Sequence, residues 1–203
     1  MGIGGLNSNR AVFLDRDGVV NPSVGFDEFG GMESPLRLED FQIFPWTAQA
    51  VKMLNDLDFF VFIATNQPAV AKGKMSPVDL CRMHSRLHEE IRAAGGEIKK
   101  IYACLHHPDP TQVQDNALLA DCKCRKPKPG MLFQAAREHG IDLRRSWMVG
   151  DTWKDIEAGQ AAGCRTILVK NEIDNRGKTI NPDFNAENLL EAAKIIEREE
   201  TNQ

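Results

Sequence analysis

The chain has 203 residues, of which 42% are hydrophobic and 27% are charged, and its net charge is -4 at pH 7. This composition is typical of one globular domain spanning residues 1–203. No apolar run approaches the roughly 20 residues that a membrane helix needs, and the negative net charge argues against a nucleic acid partner. Residues 1–9 are Gly- and Asn-rich and lack the apolar segment of a signal peptide, so we expect a flexible leader on a cytoplasmic monomer.

Short apolar runs alternate with segments of helical periodicity along the whole chain. The runs predict buried strands at 11–14, 59–64, 101–104 (the least hydrophobic), 146–149 and 165–169. The periodic segments predict helices at 46–57, 77–94, 129–139, 154–162 and 186–199. Such alternation predicts a doubly wound α/β fold with a mainly parallel sheet and helices on both faces.

Residues 21–45 form the longest irregular connection. They contain three glycines and three prolines, and connections of this length within a domain are usually functional. We therefore expect a flap-like loop over a binding site. No inserted segment is large enough to form a separate cap domain, so a small ligand should have open access.

Polar side chains follow three of the predicted strands. Asp15 and Asp17 follow the first strand, Thr65 and Asn66 the second, and Asp151 the fourth. Ligands in doubly wound sheets bind beyond the carboxyl ends of the strands. We therefore expect these side chains to share one crevice.

Two carboxylates spaced like Asp15 and Asp17 suit the hydrolysis of a phosphate monoester. Asp15 can attack phosphorus to give an aspartyl-phosphate, which water later hydrolyses. Asp17 can protonate the leaving group and then take a proton from the water.

The remaining residues of this set suit the anionic phosphoryl group. Thr65 and Asn66 can donate hydrogen bonds to its oxygens, and Lys126 can screen its charge. Asp151 can complete an oxygen-rich Mg²⁺ site with Asp15. Each motif alone is commonly an exposed turn or linker, but their order at strand ends favours a phosphatase.

These motifs resemble those of the haloacid dehalogenase superfamily. The matching residues, in the family's order, are Asp15-x-Asp17-Gly18, Thr65, Lys126 and Gly150-Asp151-x3-Asp155. The resemblance implies that Asp15 is the nucleophile and Asp17 the general acid and base. It also implies that Asp15, the backbone carbonyl of Asp17 and Asp151 hold Mg²⁺, with Asp155 in support.

Three cysteines and a histidine form two close pairs in residues 104–124. The spacing of Cys104, His106, Cys122 and Cys124 is typical of a closed tetrahedral Zn²⁺ site. A disulfide is disfavoured in a cytoplasmic protein, whereas free cysteines remain an alternative. A zinc ion there would staple an irregular loop and fix the position of Lys126.

The cysteine pattern followed by Arg125-Lys126-Pro127 narrows the resemblance to the heptose bisphosphate and histidinol phosphatases. This resemblance implies that Asn66 and Arg125 help select the substrate, and that Lys126 holds the phosphate. The expected substrate is a small phosphorylated metabolite, foremost D-glycero-D-manno-heptose 1,7-bisphosphate at its C7 phosphate. Histidinol phosphate, a nucleic acid 3′-phosphate and a non-enzymatic zinc-containing binding module are the alternatives.

Further basic residues suggest where a second anionic group of the substrate could bind. The candidate cation cluster comprises Lys72, Lys74, Arg125 and Lys128. His84 and His88 are four residues apart on one predicted helix, without a supporting carboxylate motif. We interpret both as surface or partly buried histidines.

Overall fold

Six parallel strands form one sheet in the computed structural model, which describes residues 9–25, 33–170 and 179–202. The strands are β1 (Ala11–Leu14), β2 (Phe60–Asn66), β3 (Lys100–Cys104), β4 (Trp147–Gly150), β5 (Arg165–Val169) and β6 (Phe184–Ala186). Their order in the sheet is β3-β2-β1-β4-β5-β6. The predicted α/β class with a parallel sheet is confirmed.

Two features of the sheet differ from the sequence prediction. β2 extends through Thr65 and Asn66, which pair with Ala103 and Cys104 of β3 instead of following the strand. β6 was not predicted, and it pairs in parallel with β5. Its three residues form no apolar run, and only Ala186 among them is buried.

Five helices cover the two faces of the sheet. They are α1 (Thr47–Asp56), α2 (Pro77–Ala93), α3 (Gly130–His139), α4 (Trp153–Ala162) and α5 (Leu189–Thr201). The helices α1, α2 and α5 pack over Val12, Leu14 and Ile63, whereas α3 packs over Phe13 and Phe62. Because successive side chains of a strand point to opposite faces, β1 contributes to both cores.

The helix ends follow local signals in the sequence. Ser76 caps α2 by accepting a hydrogen bond from the backbone N–H of Asp79, and Pro77 occupies the first turn. Gly140 and Gly163 end α3 and α4 in the left-handed conformation that glycine adopts without strain. These three predicted boundaries therefore have a local cause.

The strand order reverses at β1, which is the point that positions the site. β1 pairs with β2 on one side and with β4 on the other. The chain leaves β1 toward one edge of the sheet and later returns to build the other edge. A crevice opens at the carboxyl ends of strands that diverge in this way.

The connection between β1 and α1 lies partly outside the described residues, since these exclude 26–32. On either side of that gap, Val24 and Glu33 join through a backbone hydrogen bond of 2.9 Å. Further along this connection, Phe41 is buried in the same core as Val12, Leu14 and Ile63. The described part of this connection contains no inserted domain. Residues 1–8 of the predicted leader 1–9 also lie outside the described residues, whereas Asn9 is described and pairs with Ile141. Within the described ranges, no helix is both long and apolar enough to cross a membrane.

Candidate active site

A cavity of about 140 Å³ lies at the carboxyl ends of β1, β2 and β4. Its lining contains every predicted catalytic and phosphate-binding residue: Asp15, Asp17, Thr65, Asn66, Arg125, Lys126, Asp151 and Asp155. A larger cavity of about 940 Å³ lies at the opposite end of β2, beside Phe59 and His88, and contains none of them. The predicted convergence of three strand ends is therefore present in the structure.

Asp15 continues directly from β1 into the crevice. Its backbone N–H donates to the Val149 carbonyl at 2.9 Å, which extends the pairing with β4 by one residue. Burial raises the pKa of Asp15 to about 7; the ammonium of Lys126 opposes this shift, and the carboxylates of Asp155 and Asp17 add to it. The carboxyl group is held in a site that is short of positive charge.

Lys126 bridges two of the acids from the opposite side of the crevice. Its Nζ lies 3.0 Å from Asp15 Oδ1 and 2.5 Å from Asp155 Oδ1. The side chain is 2% exposed. Burial alone would lower the pKa of Lys126, but the two carboxylates raise it above its ordinary value, so the ammonium stays charged.

Asp155 supports this arrangement from the first turn of α4. Its Oδ2 accepts hydrogen bonds from the Thr152 backbone N–H and hydroxyl, at 3.0 and 2.6 Å, and so caps the helix. Its Oδ1 faces Lys126. One buried side chain therefore fixes both the start of α4 and the lysine.

Asp151 approaches the first acidic motif closely. A Cβ atom added to Gly18 would lie 2.0 Å from Asp151 Oδ2, and the φ of Gly18 is +89°. A side chain at this position would therefore displace the carboxylate and strain the backbone. Gly18 lets the turn after β1 approach the loop after β4.

The chemistry of this cluster fits a divalent cation. Oxygens of Asp15, Asp151 and Asp155 all lie within 4.8 Å of one another. Asp17 adds a fourth carboxylate, and among the described residues Arg16 and Lys126 are the buried arginine and lysine side chains that face these acids. Carboxylate oxygens are the ligands that Mg²⁺ prefers, and its charge would relieve this excess.

Asp17 has a different environment from its neighbour. Although burial favours its protonated form, the Arg16 guanidinium and hydrogen bonds from Asn21 and Ser34 hold the pKa of Asp17 below its usual range. Asn21 Nδ2 and Ser34 Oγ lie 2.9 and 2.8 Å from the carboxylate. Asp17 is therefore held in its ionised form.

Thr65 and Asn66 lie at the end of β2, but their side chains have different partners. Thr65 Oγ1 accepts a hydrogen bond from Gln67 at 2.9 Å, which leaves its own proton for a ligand. Asn66 forms two hydrogen bonds with the backbone of Lys126, at 3.0 and 3.1 Å. Its amide thus holds the lysine in place, a contact that the sequence analysis did not include.

The predicted cation cluster is only partly present. Arg125 lines the cavity, whereas Lys128 pairs with Asp121 and lines a separate apolar cavity. Lys74 lies 2.9 Å from Glu33. Lys154, which was not in the predicted cluster, also lines the site.

The four predicted zinc ligands lie together in one cluster next to Arg125. The sulfurs of Cys104, Cys122 and Cys124 lie 3.2 to 3.4 Å apart, and His106 Nδ1 lies 3.5 Å from Cys124 Sγ. Three sulfurs and one imidazole nitrogen at these separations fit a tetrahedral Zn²⁺ site. Arg125 also donates to the His106 carbonyl at 3.2 Å, which ties the zinc loop to the cavity.

Several residues of the site were missed by the sequence analysis. Gln67 and Arg16 are completely buried beside Asp17, and Ser34 bonds to the same carboxylate. Arg16 stands inside the first quoted motif and Gln67 directly follows Asn66, yet nothing in their spacing showed that they contact each other. The one available signal was that Ser34 lies within the long 21–45 connection, which was expected to cover the site.

Comparisons with known proteins agree with this geometry. Residues 123–192 match the model of the HAD-hydrolase-like family. The chain is 40% identical over 195 residues to the D-glycero-D-manno-heptose-1,7-bisphosphate 7-phosphatase of Thermosynechococcus vestitus, covering 92% of this chain and 94% of the relative. It is 34% identical to the alpha-anomer enzyme of Photorhabdus laumondii, covering 94% and 98%.

Solved structures point the same way. The D,D-heptose 1,7-bisphosphate phosphatase of B. bronchiseptica, complexed with magnesium and phosphate, superposes with a TM-score of 0.77 at 30% identity and covers 94% of this chain and 99% of its own. Such a match favours an enzyme over the alternative of a non-enzymatic zinc module. The chain belongs to the haloacid-dehalogenase-like phosphatases, in the D-glycero-D-manno-heptose-1,7-bisphosphate phosphatase family.

Proposed function

We propose that the protein is a Mg²⁺-dependent phosphatase that removes the C7 phosphate of D-glycero-D-manno-heptose 1,7-bisphosphate. One observation carries the proposal: Asp15, Lys126 and the acids after β4 meet around one small cavity at the strand reversal. The names of the relatives support the substrate. Relatives of both anomeric classes match, so the anomer remains open.

Asp15 is the proposed nucleophile. Its carboxylate attacks phosphorus, the P–O bond to the sugar breaks, and an aspartyl-phosphate forms. Lys126 supports this step because its charge lies 3.0 Å from the attacking carboxylate. Bound Mg²⁺, held by Asp15, the Asp17 carbonyl and Asp151, would neutralise charge on the phosphoryl oxygens.

Asp17 is the proposed general acid and base. It gives a proton to the departing sugar oxygen and takes one from the water that hydrolyses the intermediate. The lowered pKa of Asp17 keeps it ionised in the free protein, which is the state from which the second task starts. The incoming phosphate dianion would add negative charge beside Asp17 and raise its affinity for the proton that the first task needs.

The other residues bind the phosphate and the sugar. The free hydroxyl proton of Thr65 and the ammonium of Lys126 are the proposed donors to phosphoryl oxygens. Arg125 and Asn66 are the proposed substrate-selecting residues, with Asn66 acting through the backbone of Lys126. Zn²⁺, bound by Cys104, His106, Cys122 and Cys124, has a structural role, because a closed four-ligand site leaves no position for substrate.

The test compares phosphate release from the heptose bisphosphate, histidinol phosphate and 3′-phosphorylated DNA, with and without Mg²⁺. We expect the highest kcat/KM with the heptose bisphosphate, and a loss of about 10³-fold or more in Asp15→Asn. Asp56→Asn is the matched control, since Asp56 is exposed and only pairs with Lys52. Preference for another substrate would contradict the assignment, and full activity of Asp15→Asn would contradict the mechanism.

The cytoplasmic location and the monomeric state expected from the sequence stay predictions, as does closure of the 21–45 connection over the substrate.

A further inference from the structure

Arg16 is completely buried although it carries a permanent charge. Burying an arginine is costly unless its charge is paired and its N–H groups are hydrogen-bonded. Its partners come from three parts of the chain: the adjacent Asp17, Gln67 after β2, and His84 in the middle of α2. This arrangement needs an explanation beyond packing.

The guanidinium distributes its donors among these partners. Nε and Nη2 lie 3.0 to 3.2 Å from the Asp17 carboxylate, and Nη2 also donates to Gln67 Oε1 at 3.1 Å. Nη1 faces His84 Nε2 at 3.3 Å. The group also lies 5.6 Å from the centre of the Phe41 ring. Contacts on several sides leave the guanidinium little freedom to rotate.

The contact with Arg16 determines the state of His84. A guanidinium can only donate hydrogen bonds, so Nε2 of the histidine must accept, and the neutral ring must carry its proton on Nδ1. Burial and the charge of Arg16 lower the pKa of His84 to about 4, in agreement with a neutral ring. His84 thus holds the side of the guanidinium that is turned away from Asp17.

Gln67 holds the same two residues from another direction. Its Oε1 accepts from Arg16, so its Nε2 must be the group that donates to Asp17 Oδ2 at 2.7 Å and to Thr65 Oγ1 at 2.9 Å. The orientation of this amide follows from the donor-only character of arginine. Gln67 therefore links the acid of the first motif to the threonine of the second.

We propose that His84 is a positioning residue for proton transfer, which acts through Arg16 and together with Gln67 to fix the carboxylate of Asp17. The proposal rests on the proposed acid and base role of Asp17. Proton transfer depends steeply on geometry, and misplacement by about 1 Å can cost about 100-fold in rate. Without an acceptor at His84, Arg16 can turn away and Asp17 loses its fixed orientation.

The test compares His84→Gln with His84→Asn. The glutamine amide oxygen reaches the position of Nε2, whereas the shorter asparagine reaches only the position of Nδ1. Both substitutions keep a polar side chain. His88→Asn, one turn further on α2 and beside the other cavity, is the matched control.

Substrates with two different leaving groups distinguish a loss of Asp17 positioning from a general loss of active-site structure. An alkoxide, as in the heptose bisphosphate, needs a proton to leave, whereas nitrophenolate leaves without one. The ratio kcat/KM covers the steps up to the departure of the leaving group. For His84→Asn we expect a loss of about tenfold or more with the alkyl phosphate and less than about threefold with p-nitrophenyl phosphate.

The remaining variants should separate the possible outcomes. His84→Gln and His88→Asn should stay close to the wild-type values with both substrates. Equal losses of His84→Asn with both leaving groups, or no loss, would overturn the proposal. Asp17→Asn is the reference: if it shows no dependence on the leaving group, the proposed role of Asp17 fails, whereas dependence in Asp17→Asn alone rejects only the role of His84.

A second measurement does not depend on activity or on the folding of a variant. In the wild-type protein at pH 7, ¹⁵N NMR of the imidazole should show His84 neutral with its proton on Nδ1. A charged ring, or a proton on Nε2, would contradict the hydrogen bond from Arg16 and the proposal with it.

Discussion

Asp15 and Asp17 stand two residues apart, and their environments shift their pKa values in opposite directions. Burial among other carboxylates raises the pKa of Asp15 to about 7, whereas Arg16, Asn21 and Ser34 hold that of Asp17 below its usual range. Pairs of acids with divergent pKa values are typical of sites that divide a reaction between two carboxyl groups. At the scale of single residues, this difference is the main electrostatic property of the site.

The raised pKa of Asp15 predicts a pH-dependent stability of the metal-free protein. A group whose folded-state pKa lies above its ordinary value of 3.8 stabilises the fold fully below that pH and loses this contribution as the pH rises through about 7. We therefore expect the Tm of the metal-free protein to fall between pH 5 and pH 8, and Mg²⁺ to raise it more at pH 8 than at pH 5.5. Thermal unfolding with and without Mg²⁺ measures both effects.

Asp15→Asn is the control for this prediction, because asparagine does not titrate. In that variant, the effect of pH on Tm and the pH dependence of the Mg²⁺ effect should both diminish. Because the pKa of Asp17 is lowered from 3.8, its contribution to stability changes with pH only in the acid range near and below that value. It therefore does not affect the comparison between pH 5 and pH 8. A Mg²⁺ effect that is the same at both pH values would contradict the expected coupling.

The predicted zinc loop connects two elements that carry the site. Cys104 is the last residue of β3, and Cys124 lies two residues before Lys126. Within the loop, His107 pairs with Leu119, and Gln114 donates to the Ala71 carbonyl at 2.8 Å. At the scale of elements, the cluster of three cysteines and one histidine joins the end of β3 to the segment that carries Lys126, so a zinc ion bound there would hold this lysine against the end of the sheet.

Removal of one zinc ligand should disturb both stability and activity. For Cys122→Ser we expect loss of bound zinc, a Tm lower by about 10 °C or more, and activity reduced about tenfold or more, because Lys126 loses its anchor. Elemental analysis, thermal unfolding and phosphate release measure these changes. Cys81→Ser is the matched control, since Cys81 is exposed on α2; normal activity of Cys122→Ser without zinc would contradict the anchoring role.

Elements with strong local signals could be predicted from the sequence, and those that depend on neighbours could not. β1 is a continuous apolar run and β5 ends in one, and both strands form at the predicted bounds. β6 has no such run, because an edge strand of three residues is held mainly by its pairing with β5. The contacts of Arg16 with Gln67 and His84 likewise depend on β2 and α2 packing beside β1, which no local spacing encodes.

A few large hydrophobic side chains are exposed on the described surface. The exposed large hydrophobic residues of the described ranges lie on different elements: Val24, Val78, Leu119 and Phe133. Scattered residues of this kind are ordinary on a monomeric protein. At the scale of the whole molecule, the monomeric state expected from the sequence stays a prediction.

Light scattering after size-exclusion chromatography tests this expectation. The mass should be that of one chain, 22.7 kDa, and should not change over a tenfold range of protein concentration. A stable mass of two chains would contradict the monomeric state and would call for an interface search around Val78 and Phe133.

The position of β1 in the sheet has a consequence for synthesis of the chain on the ribosome. Val12 of β1 pairs with Val61 on one side and with Trp147 on the other. Val61 is synthesised early, whereas Trp147 is synthesised only after most of the chain has been made. The nascent protein can thus assemble β1, β2 and β3 while one side of the central strand stays unpaired. Asp151 and Asp155 are the last members of the carboxylate cluster to be synthesised. A chain truncated before them would therefore carry the proposed nucleophile, Asp15, and yet be inactive.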